Sequence, residues 1–136
     1  NLISKKAILC SVPRSQMQMT SGVDEIIYQL CQKSKLRENL TGVQSKKNKE
    51  TFNNDKTLLF RTKNCLPQHK YGRRSAEEEK SSVDINEKLI KKIKKKNVLL
   101  LDDVVTTGRS FFINREKILN AGANRVICLA LSKTGN

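Results

Sequence analysis

Hydrophobic positions in this chain come in short runs separated by long polar stretches. Residues 7–12, AILCSV, form an apolar run stopped by Pro13 and predict a buried strand. Thr20, Ser21 and Gly22 then offer helix-capping chemistry. Val23, Ile26, Ile27, Leu30 and Cys31 follow at helical spacing and predict a helix of about three turns. Residues 33–56 are dominated by Lys, Asn and Ser and read as a loop, an exposed excursion or a partly disordered segment. Residues 57–61, TLLFR, predict the next strand.

Residues 63–82 contain Pro67, Gly72 and a charged run. The first half predicts a flexible loop and the second a short helix rich in Glu, with a short strand over Val83–Ile85. Residues 87–96 are amphipathic: Leu89, Ile90 and Ile93 share one side among Lys91, Lys92, Lys94, Lys95 and Lys96. Residues 97–101, NVLLL, are apolar on both faces, as a central parallel strand should be. Residues 109–121 predict a helix stopped by Gly122 at its C′ position, and residues 125–131, RVICLAL, a last buried strand. Strands alternate with helices. This predicts a single α/β domain over residues 1–136, with a mostly parallel sheet flanked by helices. In such sheets ligands bind at the carboxyl ends of strands, so the segments after Val12 and after Leu101 become the places to search.

Composition narrows the chemistry. Only 4% of the 136 residues are aromatic, so the core must be aliphatic. Lys and Arg outnumber Asp and Glu by 27 to 13, and the net charge of +14 favours anionic partners: phosphorylated metabolites, nucleic acid or acidic surfaces. Cys10, Cys31, Cys65 and Cys128 form no CxxC pair, which argues against a zinc ribbon. Cys10 and Cys128 sit in apolar strand patterns and read as buried small hydrophobes. A reducing cytoplasm is the simplest compartment for such a set. No apolar run reaches the ~20 residues of a membrane span, and the apolar part of the first residues is short for a secretory signal. The absence of Met at position 1 reads as a processed or trimmed edge.

The chemistry concentrates in residues 98–110, VLLLDDVVTTGRS. A strand runs into an acidic turn, Asp102 and Asp103, and then into Thr106, Thr107, Gly108, Arg109 and Ser110 opening a helix. Small and hydroxyl residues at a helix N-terminus let backbone N–H groups converge on an anion, with the Thr106, Thr107 and Ser110 hydroxyls adding hydrogen bonds. Two carboxylates repel a phosphate; they suit a polyol or a metal ion. A sugar with adjacent hydroxyls and a phosphate at one end satisfies both halves, which is a grip for a ribose 5-phosphate.

This segment resembles the phosphoribosyl-pyrophosphate signature of type I phosphoribosyltransferases. The resemblance implies that fold, with Asp102 and Asp103 on the ribose hydroxyls and, through substrate or water, on Mg²⁺. It implies that Val105, Thr106, Thr107, Gly108, Arg109 and Ser110 bind the 5-phosphate. The family's pyrophosphate loop follows its first core strand, here residues 11–16, SVPRSQ, with Pro13, Arg14 and Ser15 meeting the diphosphate. A flexible loop closes over the site in the family. Residues 67–79, PQHKYGRRSAEEE, match it in position, with Lys70, Arg73 and Arg74 neutralising departing pyrophosphate. Gln68, Arg74, Ala76 and Glu77 also match a stretch of the competence-associated ComF branch. His69, the only histidine, reads as a surface residue of that loop more than as an acid or base. No hood that would select an acceptor base is legible.

The implied reaction transfers the phosphoribosyl group from phosphoribosyl pyrophosphate to a nitrogen acceptor with Mg²⁺. Two other readings compete with it. One is a protein of this fold that senses the diphosphate sugar or a nucleotide without turnover. The other is a nucleic-acid-associated protein, in DNA uptake or defence, using the basic residues 91–96. A second copy of the chain is a further candidate partner; a membrane is not.

Overall fold

The computed structural model describes residues 7–14, 22–33, 37–43, 52–65, 75–105 and 108–133. Its centre is a four-stranded, wholly parallel sheet of β1 (Ile8–Ser11), β2 (Glu38–Asn39), β7 (Asn97–Val105) and β8 (Arg125–Lys133), in the order β2-β1-β7-β8. Two small antiparallel pairs stand beside it: β3 (Thr41–Val43) with β4 (Phe52–Thr57), and β5 (Leu59–Arg61) with β6 (Val83–Ile85). The helices are α1 (Gly22–Gln32), α2 (Ala76–Ser82), the single turn α3 (Ile90–Ile93) and α4 (Arg109–Asn120). The coarse expectation of an α/β domain with a parallel sheet flanked by helices holds. No helix among the described residues is long and apolar enough to cross a membrane.

Side-chain alternation along the central strands divides the core in two. Leu9, Leu99 and Leu101 face one way and pack with Val23 and Ile27 of α1. Ile8, Cys10, Val98 and Leu100 face the other way, with Ile118 of α4, Ile93, Leu58, Leu59 and Val83. β1 and β7 are therefore apolar on both faces, as their sequences require. Cys10 is fully buried, and burial pushes its thiol well above the ordinary thiol range, so it behaves as a small hydrophobe. Cys128, expected to be equally buried, is only partly covered.

Four expectations need correction. Residues 33–56 are not merely a polar excursion, because they supply β2, β3 and all of β4 except its last residue, Thr57. The enabling residue is Leu40, whose N–H donates to Leu9 and whose carbonyl accepts from Leu58, stitching the insertion to both neighbours. Second, Ile26 lies at the margin of the apolar stripe of α1 and is 39% exposed, whereas Asp24 is buried, its carboxylate accepting a 2.5 Å bond from the Ser11 hydroxyl. Third, residues 87–96 hold only a 3₁₀ turn, Glu87–Leu89, and the one turn of α3. Fourth, β8 is an edge strand among the described residues, and Leu131 is half exposed.

The turn after α4 carries its expected glycine. Gly122 has φ +115°, and a Cβ there would meet Lys94 Cγ at 3.2 Å. Lys95, whose N–H donates to the Gly122 carbonyl, itself has φ 63°. Gly122→Ala should therefore cost about 1–3 kcal/mol in denaturant melts through backbone strain. Gly22→Ala, where a Cβ meets nothing within 4 Å, should be neutral or mildly stabilising in the same assay.

Candidate functional site

β1 and β7 are neighbours in register, Ile8 to Val98 through Ser11 to Leu101, so their carboxyl ends open at one edge of the sheet. Val12 adds a last bond, its N–H donating to Leu101 at 2.9 Å, before Pro13 ends the ladder. Ser11 is still strand and its hydroxyl is committed to Asp24, so the segment expected to meet a diphosphate starts after it. At the other strand's end the acidic pair is not a turn. β7 continues through Asp102 and Asp103 to Val105, because β8 keeps pairing with it as far as Lys133. Val105, the first residue of the expected phosphate loop, is therefore the last residue of β7.

The structure brings the two strand ends into contact. Arg14 Nη1 lies 3.3 Å from Asp103 Oδ2, with both side chains partly open to solvent. Asp102 Oδ1 accepts the Asp103 N–H at 2.9 Å. Burial pushes the Asp102 carboxyl up to about 7, the side chain of Asp103 adds to the rise, and Arg14 opposes it. Near neutral pH the Asp102 carboxyl is thus poised between its neutral and ionised forms. Hydroxyl donors of a vicinal diol, or a divalent cation, would stabilise the ionised form.

Beyond β7 the chain enters α4 through Gly108, in the left-handed region at φ +81°. Gly108 brings no capping side chain to the helix start, and its carbonyl accepts from the Phe112 N–H at 2.9 Å. Arg109 is exposed on the first turn and Ser110 half buried beside it. The positive end of a twelve-residue helix therefore lies a few residues along the chain from the acidic strand end. Thr106 and Thr107 of the expected phosphate loop lie outside the described residues. So do Ser15 of the first loop and His69, Lys70, Arg73 and Arg74 of the expected closing loop.

Sequence reasoning missed the group that supports this edge. Arg61 of β5 has a buried guanidinium, 2% exposed, bound to four oxygens. Its Nε donates to the Arg14 carbonyl at 2.9 Å and its Nη2 to the Pro13 carbonyl at 2.9 Å. Its Nη1 donates to Glu79 Oε1 at 3.1 Å and to Ser82 Oγ at 2.8 Å. Glu79 is in turn bound through Oε2 by Asn114 Nδ2 at 2.9 Å, and the same amide reaches the Ser110 carbonyl at 2.8 Å. One buried network thus joins the segment after β1, the helix α2 and the first turn of α4. A signal existed: Arg61 shares strand phase with Leu59, so a charge occupied an inward position.

The donor set bears on a metal. Among the described residues no three His, Cys, Asp or Glu side chains cluster to hold an ion. The adjacent Asp102 and Asp103 carboxyls fit a magnesium ion that takes its other oxygens from substrate and water. The exposed basic residues Lys91, Lys92, Lys94, Lys95 and Lys96 stand at the opposite, amino end of β7; Lys92 is paired with Glu38 at 2.5 Å. They belong to a separate surface. No family model, curated protein or solved structure matches the chain.

Two outcomes follow from the site. Glu79→Ala leaves Arg61 buried without its counter-charge and should cost about 3–5 kcal/mol in thermal or denaturant unfolding. For Asp102 the folded carboxyl titrates near 7 against an ordinary 3.8. Between those values the folded state holds the extra proton, so its stabilising contribution is full below about 4 and lost as pH rises through about 7. Asp102→Asn should therefore flatten the stability profile over that window and raise stability at pH 8 by about 1–3 kcal/mol, measured without divalent cations.

Proposed function

We propose that this chain is a phosphoribosyltransferase-like protein, resembling the type I family and its ComF branch, that binds phosphoribosyl pyrophosphate with Mg²⁺. It transfers the phosphoribosyl group to a nitrogen acceptor. The observation that carries this reading is the contact of Arg14 with Asp103, across the ends of two adjacent parallel strands, beside the Gly108-led start of α4. A cation for a diphosphate, carboxyls for sugar hydroxyls and a helix N-terminus for a monophosphate match the three kinds of group that phosphoribosyl pyrophosphate carries.

In this reading the carboxyls of Asp102 and Asp103 accept hydrogen bonds from the ribose hydroxyls. Arg14 exchanges part of its pairing with Asp103 for the incoming diphosphate. The first-turn amides of α4, with Thr106, Thr107 and Ser110, hold the 5-phosphate. Bound Mg²⁺ would screen the diphosphate charge near the two carboxyls and so stabilise pyrophosphate as a leaving group. Displacement at the anomeric carbon by a nitrogen nucleophile needs no protein nucleophile, so catalysis rests on positioning and on charge placed in advance. Lys70, Arg73 and Arg74, carried by the segment before α2, are the cations that would close over the departing pyrophosphate.

Pyrophosphate release from phosphoribosyl pyrophosphate, followed across a panel of nitrogen bases with Mg²⁺, tests the reading. Wild type should release it with at least one base, and Asp103→Asn should lower kcat/KM by about 100-fold or more, equivalent to roughly 2.7 kcal/mol. Binding without release for every base would replace transfer by sensing. Absence of both, with steeply salt-dependent DNA binding, would replace it by nucleic-acid association.

A further inference from the structure

The mechanism above uses the side chain of Arg14 but leaves unexplained why the backbone of that segment is held so firmly. Two consecutive carbonyls, those of Pro13 and Arg14, both accept from one buried guanidinium at 2.9 Å. Satisfying a buried arginine requires several acceptors, yet Glu79 and Ser82 already serve Nη1. Nε and Nη2 are spent on the backbone after β1. The guanidinium is planar, so both carbonyls are drawn to one edge of a single rigid fork.

Peptide geometry turns this into a statement about donors. No cis peptide occurs among the described residues. In a trans peptide the C=O and the following N–H point in opposite directions. With the Pro13 carbonyl turned in toward Arg61, the N–H of Arg14 in the same peptide plane turns away from the buried network. A backbone N–H and the guanidinium of one residue, presented together, suit an anion. Both belong to Arg14, which follows β1 at the sheet edge where its side chain meets Asp103.

We infer that Arg61 is a positioning residue for diphosphate binding: by holding the Pro13 and Arg14 carbonyls it fixes Arg14, whose backbone amide and side chain meet the anion. This deepens the phosphoribosyl pyrophosphate reading and rests on it. Arg61 touches no substrate itself. Through Glu79 and Asn114 it also ties this segment to the first turn of α4, so the two anion sites are held at a set separation by one buried network.

The test separates diphosphate from monophosphate binding. Calorimetry with inorganic pyrophosphate, phosphoribosyl pyrophosphate and ribose 5-phosphate, each with Mg²⁺, is run on wild type and Arg61→Lys. Lysine keeps the charge beside Glu79 but lacks the planar fork that spans both carbonyls. Arg61→Lys should bind both diphosphates about tenfold or more weakly, while ribose 5-phosphate affinity stays within about twofold. Equal diphosphate binding by wild type and variant would overturn the inference, as would a parallel loss of all three ligands. Should Arg61→Lys not fold, Arg61→Met with Glu79→Gln, which leaves no orphan charge, supplies the same comparison. Equal binding of all three ligands by wild type and variant refutes the role of Arg61 alone, whereas wild type that binds neither diphosphate refutes the phosphoribosyl pyrophosphate reading as well. Wild type that binds none of the three refutes the proposed function and this role with it.

Discussion

The parallel ladder between β1 and β7 is the constraint on which the rest depends. Four paired positions, Ile8 with Val98 to Ser11 with Leu101, bring the ends of two strands far apart in sequence to one edge. Parallel neighbours cannot be joined by a tight turn, so the intervening chain has to cross over and return. That crossover contains α1, the two small antiparallel pairs and α2. Its length gives room for Arg61 and Glu79 to be folded under the loop they support. The ladder is stable because both strands are buried on both faces, with Leu9, Leu99 and Leu100 almost wholly enclosed.

Charge at the edge is arranged in two tiers. The outer tier, Arg14 with Asp102 and Asp103, is partly solvated and therefore adjustable: its ion pair is long and its inner carboxyl titrates near neutrality. The inner tier, Arg61 with Glu79, Ser82 and Asn114, is enclosed, and the guanidinium makes four hydrogen bonds. An exposed pair of this kind contributes little to stability, whereas losing half of an enclosed pair is severe. The division suits a binding edge. Groups that must exchange partners with a ligand are left in contact with water, and groups that set the backbone are removed from it.

Much of the frame was legible in the sequence. The apolar runs around Leu9 and Leu99 identified central strands because a strand buried on both faces shows no alternation. Gly122 marked the end of α4 because its backbone needs φ above zero. Other features were hidden by their own composition. β3 and β4 lie within a Lys- and Asn-rich stretch, so their pairing left little apolar signal. β7 outruns its apolar run, since pairing with β8 keeps Asp102 to Val105 extended whatever their side chains prefer. At the site, the acidic pair and the Gly108 helix start were readable as chemistry. Arg61 was passed over because its function is to bind backbone carbonyls, which carry no residue code. Its inward phase beside Leu59 was the clue.

The central claim is that one edge of the sheet recognises a sugar carrying both a diphosphate and a monophosphate. Direct titration of the wild-type chain with phosphoribosyl pyrophosphate and Mg²⁺, with ribose 5-phosphate and adenosine monophosphate as competitors, tests it most directly. The account predicts saturable 1:1 binding, at a single site, that either competitor displaces. No heat of binding for phosphoribosyl pyrophosphate at millimolar concentration, or binding that neither competitor displaces, would contradict it.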